Sequence, residues 1–426
     1  MSGSLNITSA TVDSSLLDLP WNLPLDTWPD DVIAALPKGI SRHLVRFVHL
    51  SGYVVAIKET SGELAKREYD LLRTLQRLDI PCVDPVAVIA NRSDVEGAPL
   101  ESVLVTRHLK FSLPYRALFS QALRPDTATR LVDALAVLLV RLHIVGFFWG
   151  DVSLSNTLFR RDAGAFAAYL VDAETGQLYS GGLSNGQREN DLEIARVNIA
   201  GELLDLQSGG RFEEDVDPIA IADGIVAQYR MLWKELTGSE EFDNAERWRI
   251  NDRVRRLNDL GFDIEELAIK TDETGTQVRI QPKVVDAGHH SRRLLRLAGL
   301  DAQENQARRL LNDLDSYIAT FNKQDIDEEV AAHEWVVRVF EPVIRAIPKE
   351  LRGRLEPAEI FHQLLDHRWY ISQNAKRDVP LAEAVSSYVE NVLRHRRDEA
   401  TMIDPPTGTF TAPTEVVDED DWRNKV

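Results

Sequence analysis

The stretch FFWGDVSLSNTLF, residues 147–159, sets Asp151 and Asn156 five positions apart between two short apolar runs. A buried strand pair has no use for either side chain, and a turn uses at most one. A metal-bound phosphate uses both. Just before it, DTATRLVDALAVLLVRLHIVG is the strongest helical pattern in the chain. Leu131, Leu135, Leu138, Leu139 and Leu142 form its buried stripe, and Gly146 ends it. After it come a strand NTLFRR, a turn DAGA and a strand AAYLVDAE. A hairpin of that kind returns Asp172 to the neighbourhood of Asn156. An amide oxygen and a carboxylate side by side are the hard ligands that magnesium prefers. Next, NDLEIARVNIAGELLDL reads as a helix, and residues from about 215 to 260 read as helical and charged.

Upstream, RHLVRFVHLSGYVVAIKE reads as a hairpin turning at Ser51-Gly52. SGELAKREYDLLRTLQRL reads as a helix with Ser61 as N-cap. Leu64, Glu68, Leu71, Leu72, Leu75 and Leu78 share one face at helical spacing. An unpaired carboxylate on that apolar face is costly, and Lys58, at the end of YVVAIK, is the nearest cation in the pattern. Taken alone, this is an ordinary ion pair. VDPVAVIA and ESVLVTRHL add two strands, so the segment reads β-β-α-β-β, an antiparallel sheet with one helix. Trp21 and Trp28 in LPWNLPLDTWPDD are expected to pack on this same domain.

The order lysine on a strand, glutamate on a helix, D-x4-N in a loop, then aspartate after a strand matches the working parts of protein-kinase phosphoryl transfer. Asp151 would accept a proton or orient a hydroxyl, and Lys58 would neutralise phosphate charge. RLHIVGFFWGDVSLSNTLF resembles the catalytic loop of the protein-kinase-like superfamily. It is similar in style to the atypical bacterial branch of lipopolysaccharide (Kdo-type) kinases, RIO-type kinases and aminoglycoside phosphotransferases. The resemblance implies that Asp151 is the catalytic aspartate, Asn156 and Asp172 the metal ligands, and Lys58 and Glu68 the ion pair. It also implies that Asp191, in RENDLEIA, holds the catalytic-loop backbone. It covers about residues 30 to 260. The whole chain resembles a bacterial, actinobacterial family in which a lipopolysaccharide-kinase-like half precedes a C-terminal domain of unknown function; PKVVDAGHHSRRLLRLAGLDAQENQARRLLNDLDSY carries that second likeness.

Four departures stand out. No G-x-G-x-x-G occurs, and the expected phosphate loop near LPKGISRH offers only Gly39. Trp149 replaces the loop histidine. The metal triplet is Asp172-Ala173-Glu174, where Glu174 adds a carboxylate that either joins the metal or is merely solvated. Lys58 and Glu68 are only ten positions apart, so the helix must follow the strand directly. Gly150 stands where an arginine is usual. The short segment from Asp172 to Asp191 leaves little room to dock a peptide, which favours a small or glycan-like acceptor.

Composition agrees with a soluble, multi-domain protein: 426 residues, 44% apolar and 27% charged. A net charge of −19 argues against a nucleic-acid partner and against an anionic membrane surface. The single cysteine, Cys82, allows no internal disulfide and no thiolate zinc site, and reads as a small core residue. The N-terminus lacks the pattern of a secretory signal, no stretch approaches the ~20 apolar residues of a membrane span, and the expected location is cytoplasmic. No internal repeat is visible, and no G-x-S-x-G suggests a hydrolase.

A mainly helical unit is expected from near residue 262, opened by the strand TGTQVRIQPKVV, with Pro342 kinking or ending its third helix. His289, His290, Arg292, Arg293 and Arg296 lie at a helix start, a position that suits an anion, with a solvated helix face as the equal alternative. His362, His367, Arg368, Trp369 and Tyr370 read as a helix end packed on its neighbours in preference to a recognition pocket. The expected organisation is a disordered tail at 1–20, an N-lobe at 21–109, a C-lobe at 110–261, a helical domain at 262–405 and a disordered acidic tail at 406–426. The fold class is α+β, a two-lobed protein-kinase-like fold followed by a mainly α-helical domain. The expected function is ATP- and Mg²⁺-dependent phosphoryl transfer to a small-molecule, sugar or glycolipid hydroxyl. The alternative is a weak or inactive pseudokinase serving as a nucleotide-sensing regulator or scaffold. The C-terminal domain is a candidate surface for a protein partner.

Overall fold

The computed structural model describes residues 5–10, 13–34, 44–50, 52–119, 125–210, 216–238, 240–243, 252–253, 255, 257, 262–271, 277–396 and 398–399. Gly39 and the acidic tail 406–426 lie outside them. Two compact units emerge: Met1–Arg160 with Ala168–Lys234, and Arg161–Ala167 with Glu235–Thr401. The division falls after Lys234, ahead of the boundary expected near residue 262.

The first unit begins with a five-stranded sheet of β1 (Asn6–Ser9), β2 (Val45–Leu50), β3 (Tyr53–Thr60), β4 (Asp84–Ala90) and β5 (Ser102–Arg107) in the order β1-β4-β5-β3-β2. Every pairing is antiparallel. The β-β-α-β-β reading is therefore right, with one addition. The N-terminal tail expected at 1–20 is not wholly a tail, because Asn6–Ser9 pairs with Ala87–Ala90 along the open edge of β4. An unpaired edge is a row of unmet hydrogen-bonding groups, and four residues suffice to cover it. Helix α1 (Gly62–Arg77) packs on β4 and β5. Ser61 caps it, its Oγ accepting from Leu64 N at 3.4 Å. On its leucine face Glu68, Leu72 and Leu75 are buried, while Leu78 is exposed.

The opposite face of the sheet carries the tryptophan segment. Trp21 and Trp28 are buried, edge to face at 5.2 Å, against Val48, Leu50, Val55 and Ile57. Arg92, fully buried, ties this segment down by donating to the carbonyls of Trp21 and Leu23 while pairing with Glu59 at 2.9 Å. Cys82 is buried as expected.

The helical lobe follows with β6 (Leu113–Pro114), α2 (Tyr115–Phe119), α3 (Pro125–Ile144), β7 (Phe147–Phe148), β8 (Thr157–Asp162), β9 (Ala165–Leu170), β10 (Gln177–Leu178), α4 (Asn185–Ser208) and α5 (Pro218–Thr237). β7 pairs with β10 and β6 with β8. Gly146, at φ +82°, closes α3, and a Cβ there would meet the Tyr179 carbonyl at 2.4 Å. This antiparallel sheet lobe with a helical lobe is the α+β, two-lobed kinase-like fold expected.

The second unit contains a three-stranded sheet in the order β11-β13-β12: β11 (Glu240–Asp243), β12 (Phe262–Thr271), β13 (Gln277–Ala287). β11 falls in the stretch read as helical, since its pairing with Gln277–Ile280 is non-local and leaves no local signal. Helices α6 (His289–Ala298), α7 (Glu304–Thr320), α8 (Glu328–Trp335), α9 (Glu341–Ala346), α10 (Pro357–Ala375) and α11 (Leu381–Asn391) complete it. Pro342 does not end its helix, which runs on to Ala346. A π-helical turn, Val336–Phe340, joins α8 to α9 and places Pro342 in the first turn of α9, where its missing N–H is tolerated. Trp335, Phe340, Phe361 and Tyr388 lie at the centre of this core. Within the same unit, Asp162 accepts from Gln306 N at 2.8 Å and Asn305 Nδ2 at 2.9 Å, and burial pushes its carboxyl up to about 6.

Candidate functional site

The first unit brings Lys58, Glu68, Asp172 and Glu174 to one point. Lys58 lies two residues before the end of β3 and α1 begins at Gly62, so the ten-residue spacing carries Glu68 over the lysine. Lys58 Nζ lies 3.0 Å from Glu68 Oε2, 2.7 Å from Asp172 Oδ2 and 2.9 Å from Glu174 Oε2. Burial pulls the ammonium's pKa down, but the charges of Glu68 and Asp172 outweigh it and raise it. Glu68 is the most buried of the three acids. Its pKa rises to about 7, through burial first and then repulsion from Asp172, with Lys58 offsetting only part. Glu174, left open between metal and solvent by the sequence, is drawn into the cluster.

Three carboxylates around one ammonium leave an excess of negative charge, and their oxygens lie within 4.8 Å of one another. That donor chemistry fits a divalent cation. Beside the cluster, Asn156 Nδ2 donates to Asp151 Oδ2 at 3.1 Å and to the Asp151 carbonyl at 3.0 Å, which leaves the amide oxygen as the side chain's remaining acceptor. Its backbone carbonyl accepts from Val171 N at 3.0 Å, so the hairpin does return the strand before Asp172 to Asn156.

Helix α4 shapes the loop that carries Asp151. Asp191, fully buried, accepts from Trp149 N and Gly150 N, each at 2.8 Å. One face further on, Asn198 Nδ2 donates to Asp151 Oδ1 at 3.2 Å and to the Val152 carbonyl at 3.1 Å. Next, Glu202 accepts from Leu154 N at 2.6 Å, Ser155 N at 3.0 Å and the Ser155 hydroxyl. Spacings of seven and four keep these three residues on one helical stripe. Asn198 and Glu202 were missed in the sequence. The signal available was D-x6-N-x3-E, a polar stripe on a helix that has to cross a loop rich in unpaired N–H groups.

His143 backs the same aspartate. Its Nε2 is 3.1 Å from Asp191 Oδ2 and its Nδ1 is 2.7 Å from the Tyr229 hydroxyl, all buried. Trp149 explains its own presence. Its indole N–H donates to the Asp172 carbonyl at 2.8 Å, and Thr175 Oγ1 donates to the Trp149 carbonyl at 2.8 Å. The residue that replaces histidine thus fastens the Asp151 loop to the Asp172 loop. Arg67, from α1, fastens the latter again through the Gly176 carbonyl at 2.7 Å.

The second basic cluster reads differently in the structure. α6 does start at His289, but the anion at its N-terminus is the chain's own Glu304, which accepts from His290 N at 2.7 Å and Ser291 N at 3.1 Å. Arg293 pairs with Glu328 at 2.5 Å. Arg292 is likewise engaged. An internal carboxylate therefore takes the backbone N–H groups at this helix start, for which an anion site at His289, His290, Arg292 and Arg293 and a solvated face were equal alternatives. Helix α10 divides as well: His362 and His367 are core, whereas Trp369 faces outward.

Residues 53–196 match the family model of the lipopolysaccharide kinase (Kdo/WaaP) family, and residues 231–393 match that of a domain of unknown function, DUF4032. No curated protein matches the chain. Among solved structures, one described as WaaP in complex with acyl carrier protein is 16% identical, with a TM-score of 0.35, over 60% of this chain and 99% of that one. The fold is kinase-like, and the segment that carries Lys58, Glu68, Asp151, Asn156, Asp172 and Asp191 is the one similar to the lipopolysaccharide kinases. The resemblance read from the sequence holds on both halves: a lipopolysaccharide-kinase-like segment, then a segment of the DUF4032 type. Among the described residues no helix is long and apolar enough to cross a membrane.

Proposed function

We propose that the chain is an ATP- and Mg²⁺-dependent phosphotransferase acting on the hydroxyl of a small molecule, sugar or glycolipid. The observation that carries this reading is Lys58 gathered between Glu68, Asp172 and Glu174. No packing need explains an ammonium and three acids converging beside a loop that presents Asp151 and Asn156.

In this reading Lys58 meets the α- and β-phosphates, held ready by Glu68. Asn156 and Asp172, with Glu174 in reach, hold magnesium, which supplies charge neutralisation on the phosphates. Gly39 belongs to the expected phosphate loop. Asp151 accepts the proton of the acceptor hydroxyl as that oxygen bonds to the γ-phosphorus and the bond to ADP breaks. Both of its oxygens receive hydrogen bonds from side-chain amides, Asn156 and Asn198, which orient the carboxylate. Catalysis rests on positioning and fixed charge. Use of ATP places the reaction on the cytoplasmic side. The lobes 21–109 and 110 onward remain the proposed division of the first half, with the second unit taken from about residue 235.

A thermal-shift titration with Mg·ATP tests this reading. Binding to the folded chain raises apparent stability by mass action, about 2.7 kcal/mol at a hundredfold excess over Kd. The wild type should shift and Asp172→Ala should not. No shift of the wild type at millimolar nucleotide sinks the reading. A shift without transfer to any acceptor favours the nucleotide-sensing alternative.

A further inference from the structure

The ion pairs along α10 frame an open groove. Trp369 is 56% exposed. It stands over a groove of about 380 Å³ between α7 and α10. An adjoining recess of about 430 Å³ reaches the chain just after α10. Leu365 and Trp369 are the only apolar residues among the described residues of the lining. A greasy ligand would leave its polar walls unpaired, so the groove suits a ligand rich in hydroxyls.

The walls are preset for that chemistry. Arg309 is fixed by Asp366 at 2.9 Å and Arg368 by Asp378 at 2.9 Å, each keeping further N–H donors in its fork. Asp313 is held by Trp335 Nε1 at 2.8 Å and offers acceptor capacity from the groove floor. The side-chain amides of Asn312 and Gln373 have no hydrogen-bond partner among the described residues. Trp369 presents a flat face on which the C–H face of a sugar ring stacks. One charge is also left over. Arg377 pairs with Glu383 at 2.5 Å, whereas Lys376 has no ion pair among the described residues. It is held at the α10 C-cap with φ +50°, its N–H donating to the Gln373 carbonyl at 3.2 Å.

We infer that the groove between α7 and α10 binds a polyhydroxylated ring carrying a phosphate, the ring on Trp369 and the anion on Lys376. Two sources share that chemistry, a free sugar phosphate and a phosphate-bearing lipid headgroup. This inference does not depend on ATP chemistry in the first unit.

Calorimetric titration of the full chain decides it, with glucose 1-phosphate, glucose, inorganic phosphate and vesicles of phosphatidylcholine containing phosphatidylinositol as probes. Glucose 1-phosphate or the inositol vesicles should bind with a Kd at or below about 1 mM, about −4 kcal/mol. Binding by one probe and not the other names the source. Trp369→Ala should weaken binding at least about tenfold with an unchanged melting temperature, as expected for an exposed side chain. Lys376→Ala should weaken the phosphate-bearing probes and leave glucose unaffected. No heat from either phosphate-bearing probe overturns the inference. So does equal binding by inorganic phosphate, or undiminished binding by Trp369→Ala.

Discussion

Replacing Glu68 by glutamine should make the first unit more stable at alkaline pH, although it removes half of an ion pair. Glu68 is buried, and its pKa stands at about 7 against an ordinary 4.5. The folded chain therefore holds this proton more tightly than the unfolded chain. Stability from this group is fully present below about pH 4.5 and is lost as pH rises to about 7, by about 3 kcal/mol in all. Glutamine keeps the shape of the neutral acid and does not titrate. Lys58 retains Asp172 and Glu174 at 2.7 and 2.9 Å, so the ammonium is not stranded. Urea unfolding of both proteins, followed by fluorescence at about pH 5 and about pH 8, isolates the effect, since all other groups cancel in the difference. Glu68→Gln should lead by less than about 1 kcal/mol at the lower pH and by about 3 kcal/mol at the higher. Parallel curves, or a wild type that is the more stable at pH 8, would refute the reasoning. Phosphate binding should weaken in the same variant, the usual exchange of stability for a charged site.

Four other outcomes follow from the geometry. Asn198→Ala should leave Mg·ATP binding intact but reduce turnover about tenfold or more, because Asp151 loses one of its two orienting amides; Asn198→Asp should move the acidic limb of the pH–rate profile upward by setting a like charge against Asp151. Gly150→Ala should lower the melting temperature by an amount worth more than about 1 kcal/mol, since φ is +77° and the new Cβ meets Phe148 Cε1 at 3.0 Å. Cys82, whose thiol is pushed up to about 12 by burial and by Asp84, should resist iodoacetamide at pH 8 until the chain is unfolded; rapid labelling of the native protein would contradict its place in the core.

What the sequence revealed was what local periodicity encodes. Lys58 and Glu68 are tied by a strand that runs straight into a capped helix, and Asp151, Asn156 and Asp172 by a hairpin. Both constraints act over short stretches, so each set could be anticipated; that Lys58 would meet Asp172, 114 positions further on, was implied only by the kinase-like resemblance. Trp149 could be seen as a departure, but its bond to the Asp172 carbonyl depends on how two loops face each other. Asn198 and Glu202 were harder still, because a polar stripe on a helix ordinarily faces water. The pairing of Asn6–Ser9 with β4 and of β11 with β13 is non-local and escapes any window of sequence. The helix start at His289 was legible, but Glu304, the carboxylate that fills it, was not, because it arrives from the next helix.

The most direct test of the account is transfer of the γ-phosphate. Incubation with γ-labelled Mg·ATP and a glycan and glycolipid extract should move label into the extract with the wild type. With Asp151→Ala, Mg·ATP should still bind and no label should move. Label transferred equally by Asp151→Ala, or by neither protein although both bind Mg·ATP, would contradict the assignment of the Lys58–Asp151–Asp172 cluster as a phosphotransferase site.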